Sequence, residues 1–197
     1  KKNIPAFDAA NAYNLLFDKS RGSIICLLDS DDYFHKNKVK IVVDYFKKNK
    51  EKNFLQNLPL VKERKKQTIY KKNKNNFLSF WPYLAPESCI SFRKKFMLNF
   101  VKNNINIKRK FKSVWLGFRM GVYAFFVKKD FYTINKNLTY YESLGESKKY
   151  SFFGKNWLIR RKESFDYLQK ISKKYKHQMT NLDYFVTKSL IKILKIK

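Results

Sequence analysis

An open α/β sheet is the fold class this sequence predicts, and three features of its first fifty residues predict it. Residues 8–19 carry Ala9, Ala12, Tyr13, Leu16 and Phe17 at helical spacing. Arg21 and Gly22 stop that helix, with glycine in the usual place for the chain to leave the helical turn. The run from Ser23 to Leu28 (SIICLL) is short, continuous and β-branched, which fits a buried parallel strand better than a helix. It leads directly into Asp29-Ser30-Asp31-Asp32, and a second helix is expected over 38–48 with Val39, Val42, Val43 and Phe46 inward. Helix, glycine turn, buried strand, loop, helix is the order in which open α/β sheets are built, and their ligands bind beyond the carboxyl ends of the strands. The acidic loop lies at that end.

Further along, residues 62–76 (KERKKQTIYKKNKNN) read as an exposed basic loop or hairpin. Residues 88–93 (SCISFR) read as a second buried strand, followed by a helix to about Lys102 with Phe96, Met97 and Phe100 on its inner side. The almost uniformly apolar stretch 114–126 is too long for a typical strand and reads as a buried helix. Residues 131–134 and 138–141 read as two short strands around an Asn135-Lys136-Asn137 turn. The last part changes character: 156–175 and 182–195 are basic amphipathic helices, so the division expected is a core over 1–154 and a helical segment over 155–197. In the final helix Leu182, Phe185, Val186, Leu190 and Ile193 line one face. That face has two readings: it packs on the core, or it lies on an anionic membrane surface.

Composition bounds the function. At 44% hydrophobic and 18% aromatic, the chain is no disordered or linker sequence. Lys plus Arg number 44 against 15 Asp plus Glu, a formal charge of +29, which calls for an anionic partner: phosphorylated substrate, membrane face or nucleic acid. Lys, Asn, Ile, Phe and Tyr are also the residues that AT-rich codons favour, so part of the charge can be compositional drift. Cys26 and Cys89 sit apart in apolar runs, with no Cys/His cluster for zinc, and fit a reducing cytoplasm. No apolar stretch approaches bilayer-spanning length.

Three carboxylates in four residues need an explanation in so basic a chain. They repel one another unless a cation or hydrogen bonds offset the charge. Oxygen-only ligands suit Mg²⁺ or Mn²⁺, which would bridge carboxylate and diphosphate. The plainer reading is an Asx-rich turn or helix cap. Asn14, Gly22, SIICLL and the run LDSDDYF, in that order and spacing, resemble the central motif of family 2 glycosyltransferases: Asn, helix, Gly, strand, then L-D-S-D-D and an aromatic. The likeness is tight over about the first fifty residues and looser through Glu87-Ser88-Cys89-Ile90 and Trp157 to Arg161 (WLIRR).

The resemblance implies a GT-A, Rossmann-like mixed sheet flanked by helices, lacking its initial strands and ending in C-terminal helices. It also implies Mg²⁺ or Mn²⁺, a nucleotide-sugar donor such as a UDP-sugar, a glycan or lipid-linked acceptor, and a place in cell-envelope polysaccharide synthesis. By the same resemblance Asp31 and Asp29 are metal ligands, and Asn14, Asp29, Asp32, Arg160 and Arg161 bind the donor. Two departures stand out. The family's opening strand and V-x-x-P-x-Y-N-type motif have no counterpart, which suggests a fragment. The acidic pair that supplies the family's general base, followed by x-x-L-x-x-R, falls on Lys112 and Ser113, with Leu116 and Arg119 completing the pattern. Glu87, the one carboxylate between Arg64 and Lys129, becomes the candidate base, with Glu142 behind it; a capping or surface Glu is its plainer role. Trp81, Trp115 and Trp157 are read as packing before sugar stacking, and His35 as an exposed loop residue. The expected function is metal-dependent, inverting sugar transfer in the cytoplasm, at or near the inner face of the plasma membrane. The rivals are a nucleic-acid-binding module, which leaves the acidic loop unexplained, and an inactive truncated transferase.

Overall fold

The computed structural model describes residues 5–63, 66–69, 80–104, 111–142, 153–175 and 181–196. Most of the segment 62–76 thus lies outside the described residues, as does His177. Phe54 and Leu55 are consecutive and both fully buried, yet they belong to different hydrophobic clusters. Side chains alternate across a strand, so this strand has apolar layers on both faces. It is β3 (Phe54–Glu63), and the sheet is built around it.

In chain order the elements are α1 (Pro5–Lys19), β1 (Ile24–Cys26), β2 (Tyr33–Phe34), α2 (Lys38–Lys48), β3, β4 (Lys66–Ile69), β5 (Ile90–Arg93), α3 (Lys94–Asn104), α4 (Leu116–Val122), β6 (Tyr132–Glu142), α5 (Lys155–Ile171) and α6 (Leu182–Ile193). A 3₁₀ turn, Glu87–Cys89, precedes β5, and α4 runs on into a π-helical stretch, Tyr123–Lys128. The six-stranded sheet has the order β1-β5-β3-β6-β2, with β4 paired to β3. One side of β3 is shared: its first residues pair with β5 and its last with β4. The other side pairs parallel with β6.

One face of the sheet carries α2, whose Val42 and Phe46 pack with Leu55, Ile134 and Leu138. The other carries α1, α3 and α4, through Tyr13, Phe17, Phe96, Met97, Phe100, Leu116 and Met120. A third cluster joins α4 to α5 through Val122, Phe126, Phe165, Tyr167 and Leu168.

The structure corrects several expectations. β1 runs antiparallel to β5, not parallel, and it has that one partner among the described residues, so Ile24, Ile25 and Cys26 are half-buried. Residues 131–141 form no strand pair around a turn. Residues 132–141 lie in the single strand β6, and the polar 135–137 triplet is absorbed by register shifts opposite Asn57–Pro59. Ala12, Leu16 and Val39 are exposed. Among the described side chains of α1 the inner positions belong to Tyr13 and Phe17, and in α2 Lys38 takes the inward position of the first turn, in line with Val42 and Phe46. No helix is long and apolar enough to cross a membrane among the described residues.

Candidate functional site

The acidic loop crosses the end of the sheet from β1 to β2, and backbone and side-chain bonds fix both ends. Leu27 N–H donates to Ile90 O at 3.0 Å, and Asp29 N–H donates to Ser88 Oγ at 2.9 Å. Asp32 N–H closes a turn onto Asp29 O at 3.2 Å, and His35 N–H donates to Leu138 O at 3.0 Å. The three carboxylates therefore end in different surroundings. Asp29, half-buried, accepts a 2.5 Å hydrogen bond from Tyr13 Oη of α1. Asp31 is exposed. Asp32 is buried, with Oδ1 accepting Glu142 N–H of β6 at 2.9 Å and Oδ2 buried without a hydrogen-bond partner among the described residues. Burial pushes the Asp32 carboxyl above its ordinary range, and the charges of Asp31 and Asp29 add to that. The phenol of Tyr13 is likewise pushed up, by burial first and then by Asp29, so it stays a donor.

Behind the loop stands a buried cation. Lys38 is wholly inaccessible; its Nζ donates to Ser88 O and, at 2.9 Å, to Thr139 Oγ1, and it lies 3.8 Å from the centre of the Phe34 ring. Thr139 Oγ1 also donates to Ser88 O at 3.1 Å and accepts from Asn57 Nδ2 at the same distance. Burial lowers the Lys38 pKa to about 8. Ser88 is thus the hub: its hydroxyl holds the Asp29 backbone while its carbonyl receives Lys38.

Glu87 is one residue from that hub and only 8% exposed. Its Oε1 accepts Gly117 N–H at 2.6 Å, at the start of α4. Burial raises its pKa to about 7; the Asp29 charge adds to the rise, while the Gly117 bond and the charges of Arg160 and Arg119 oppose it. The approach is close enough to exclude a side chain at Gly117, where a Cβ would meet Glu87 Cγ at 2.6 Å. Asp29, Asp32, Glu87 and Tyr13 therefore feel one another's charges at one end of the sheet.

The profile described as glycosyl transferase family 2 matches residues 6–124, well over half of the chain and all of the site except Glu142, Thr139 and the α5 arginines. The chain belongs to glycosyltransferase family 2. None of the curated proteins matches it. As a family 2 member the protein is a glycosyltransferase, handling a nucleotide-sugar donor and an acceptor, and its mixed sheet with helices on both faces is the GT-A-like arrangement expected.

Members of the family commonly use a divalent metal. Among the described residues of this transferase no three His, Cys, Asp or Glu side chains converge to hold one. The donor set still fits Mg²⁺ or Mn²⁺, which are typically held by one or two carboxylates with phosphate oxygens and water completing the shell. Asp31 is open to such an ion, and Asp32 Oδ2 is buried without a hydrogen-bond partner among the described residues, with the Ser88 hydroxyl near enough to favour the charged carboxylate.

Of the remaining expected residues, Asn14 lies in α1 and its side chain falls outside the described set. Arg160 is half-buried, within electrostatic reach of Glu87. Arg161 pairs with Asp183 of α6, Nε donating to Oδ1 at 2.8 Å, and stacks 4.8 Å from the Trp157 ring centre. Glu163 of α5 accepts Ser113 N–H at 2.7 Å, bringing a carboxylate to the segment before α4 where the sequence carries Lys112 and Ser113. Sequence reasoning missed Ser88, Lys38 and Thr139. The one available signal was Lys38 itself, at the helical position that continues inward to Val42 and Phe46.

Proposed function

We propose that this glycosyltransferase moves a sugar, with inversion, from a nucleoside diphosphate donor such as a UDP-sugar to a hydroxyl of a glycan or lipid-linked acceptor, with Mg²⁺ or Mn²⁺ at the acidic loop. The observation that carries this reading is the loop itself: Asp29 and Asp32 anchored by Tyr13, Ser88 and Glu142, with Asp31 left open to solvent. In this reading Asp31 holds the metal with Asp29 or Asp32 beside it, and a bound divalent ion supplies charge stabilisation for the departing diphosphate. Asn14 and Asp29 contact the nucleoside. Arg160 and Arg161 face the diphosphate.

Glu87 is the general base that takes the acceptor proton. With a pKa raised to about 7 it is partly ionised near neutrality and strong enough to accept a proton there. Its Oε1 is fixed by Gly117, which orients the carboxylate. Inversion follows from attack on the face opposite the diphosphate. The setting is the cytoplasm, peripheral at the inner face of the plasma membrane, where a lipid-linked acceptor would be met.

The test is release of nucleoside diphosphate from a panel of nucleotide-sugars with Mn²⁺, in the presence of glycan and polyprenyl-phosphate-linked acceptors. Acceptor-stimulated release that disappears in Asp31→Asn supports the reading. Release that is equal in the wild type and Asp31→Asn would sink it.

A further inference from the structure

Helix α6 carries apolar residues on two sides. Its inner side holds Thr187, its one buried residue, with Leu190 and Ile191 half-buried beside it; Asp183 pairs with Arg161, and the Tyr184 ring packs 5.3 Å from Phe165. Other apolar residues point out. Leu182 is 70% exposed, Phe185 54%, Val186 44% and Ile193 72%, and no described residue covers them. At about 100° per residue, these four and Ser189 share one arc of the helix. Lys188 and Lys192, both exposed, fall together along one edge of that arc, Lys188 with its Nζ 5.2 Å from the centre of the Tyr184 ring. The acid of this helix, Asp183, is already neutralised by Arg161.

We propose that the outer face of α6 is a membrane-docking surface that inserts Leu182, Phe185, Val186 and Ile193 among the acyl chains of an anionic bilayer while Lys188 and Lys192 meet its headgroups. The lysines are placed for this: long stems can lie along apolar surface with the ammonium at the phosphate level. The charge pattern selects this occupant over others. A second copy of the chain would bring another +29 and, about a two-fold axis, set lysine edges near one another. The face is one helix of 12 residues, roughly 18 Å long, short of the ~800 Å² per partner of a stable dimer. A nucleic acid would satisfy the lysines and leave the apolar arc in water. An anionic bilayer satisfies both. The inference rests on the membrane-peripheral setting proposed above and gives it a surface; it uses no residue of the acidic loop, so its failure and that of the transferase reading are distinguishable.

The test is flotation of the full chain with vesicles of phosphatidylcholine alone and of phosphatidylcholine with 30 mol% phosphatidylglycerol. The triple variant Phe185→Ser, Val186→Ser, Ile193→Ser removes the apolar arc, and the double variant Lys188→Glu, Lys192→Glu reverses the edge. All five side chains are exposed, and far-UV circular dichroism checks that the fold is kept. The wild type is expected to float with anionic vesicles and not with neutral ones, the triple variant to lose roughly tenfold or more in partitioning, and the double variant to lose binding as well. A wild type that stays in solution with anionic vesicles overturns the proposal. So does a triple variant that binds as well as the wild type, which would mean adsorption by overall charge. Concentration-dependent dimerisation that the triple variant abolishes, without vesicle binding, would assign the face to a second copy instead.

Discussion

Replacing Glu87 with Gln tests the electrostatics of the site without a substrate. The carboxyl is 8% exposed and its pKa rises from 4.5 to about 7 on folding, chiefly through burial. A raised folded pKa means that the folded state holds the proton over a range where the unfolded chain has lost it. The contribution to stability is therefore fully present below pH 4.5 and is lost as pH rises through about 7. At about 1.4 kcal/mol per pH unit the loss amounts to about 3 kcal/mol. Glutamine mimics the protonated acid and keeps an acceptor for Gly117 N–H, so the variant lacks this slope. Urea unfolding of both proteins at pH 4.5, 6 and 7.5 gives the difference directly, because all other titrating groups are common to the two. The wild type should lose about 3 kcal/mol relative to Glu87→Gln across that range. Parallel pH profiles would refute the burial argument and, with it, the case for Glu87 as a base poised near neutrality.

The remaining predictions concern the supports of the loop and of Glu87. Gly117→Ala forces Glu87 Cγ away from a Cβ at 2.6 Å, and should lower stability by about 1–3 kcal/mol and transfer activity more than tenfold, read by urea unfolding and nucleotide release. Tyr13→Phe deletes the 2.5 Å bond to Asp29, a hydrogen bond to a charged group worth about 1.5–3 kcal/mol, and should weaken donor binding in calorimetry. Lys38→Met keeps the stem without the donor. A buried cation carries its own desolvation penalty, so stability should fall by less than about 2 kcal/mol, whereas donor affinity should drop severalfold as Ser88 loosens; unchanged affinity would show that Lys38 does not position the loop. Glu87→Gln should abolish acceptor-dependent turnover, and Glu163→Gln should not; the reverse would move the base to α5.

The acidic loop was legible in the sequence because its signal is local: an apolar run, then carboxylates, then an inward-facing helix, all within thirty residues. The helices were legible for the same reason, and Phe96, Met97 and Phe100 are buried as their spacing indicates. What sequence left open is what depends on distant partners. β1 looks like any buried strand, and only its pairing with Arg93, Phe92 and Ser91 makes it antiparallel. Lys38 carries the residue type least expected inside, and its burial depends on oxygens 50 and 101 residues away. The stripe on α6 was readable as a stripe, but which side meets the body is decided by Asp183 with Arg161 and Tyr184 with Phe165. The pairing of Arg161 with Asp183 likewise left no sign in the sequence.

The central claim is that the acidic loop binds a nucleoside diphosphate through a divalent metal at Asp31. Calorimetric titration of UDP into the protein with Mn²⁺, then with EDTA, then into Asp31→Asn with Mn²⁺, tests it most directly. The account predicts binding in the first titration alone. Binding that survives both EDTA and Asp31→Asn, or no binding in any of the three, would contradict it.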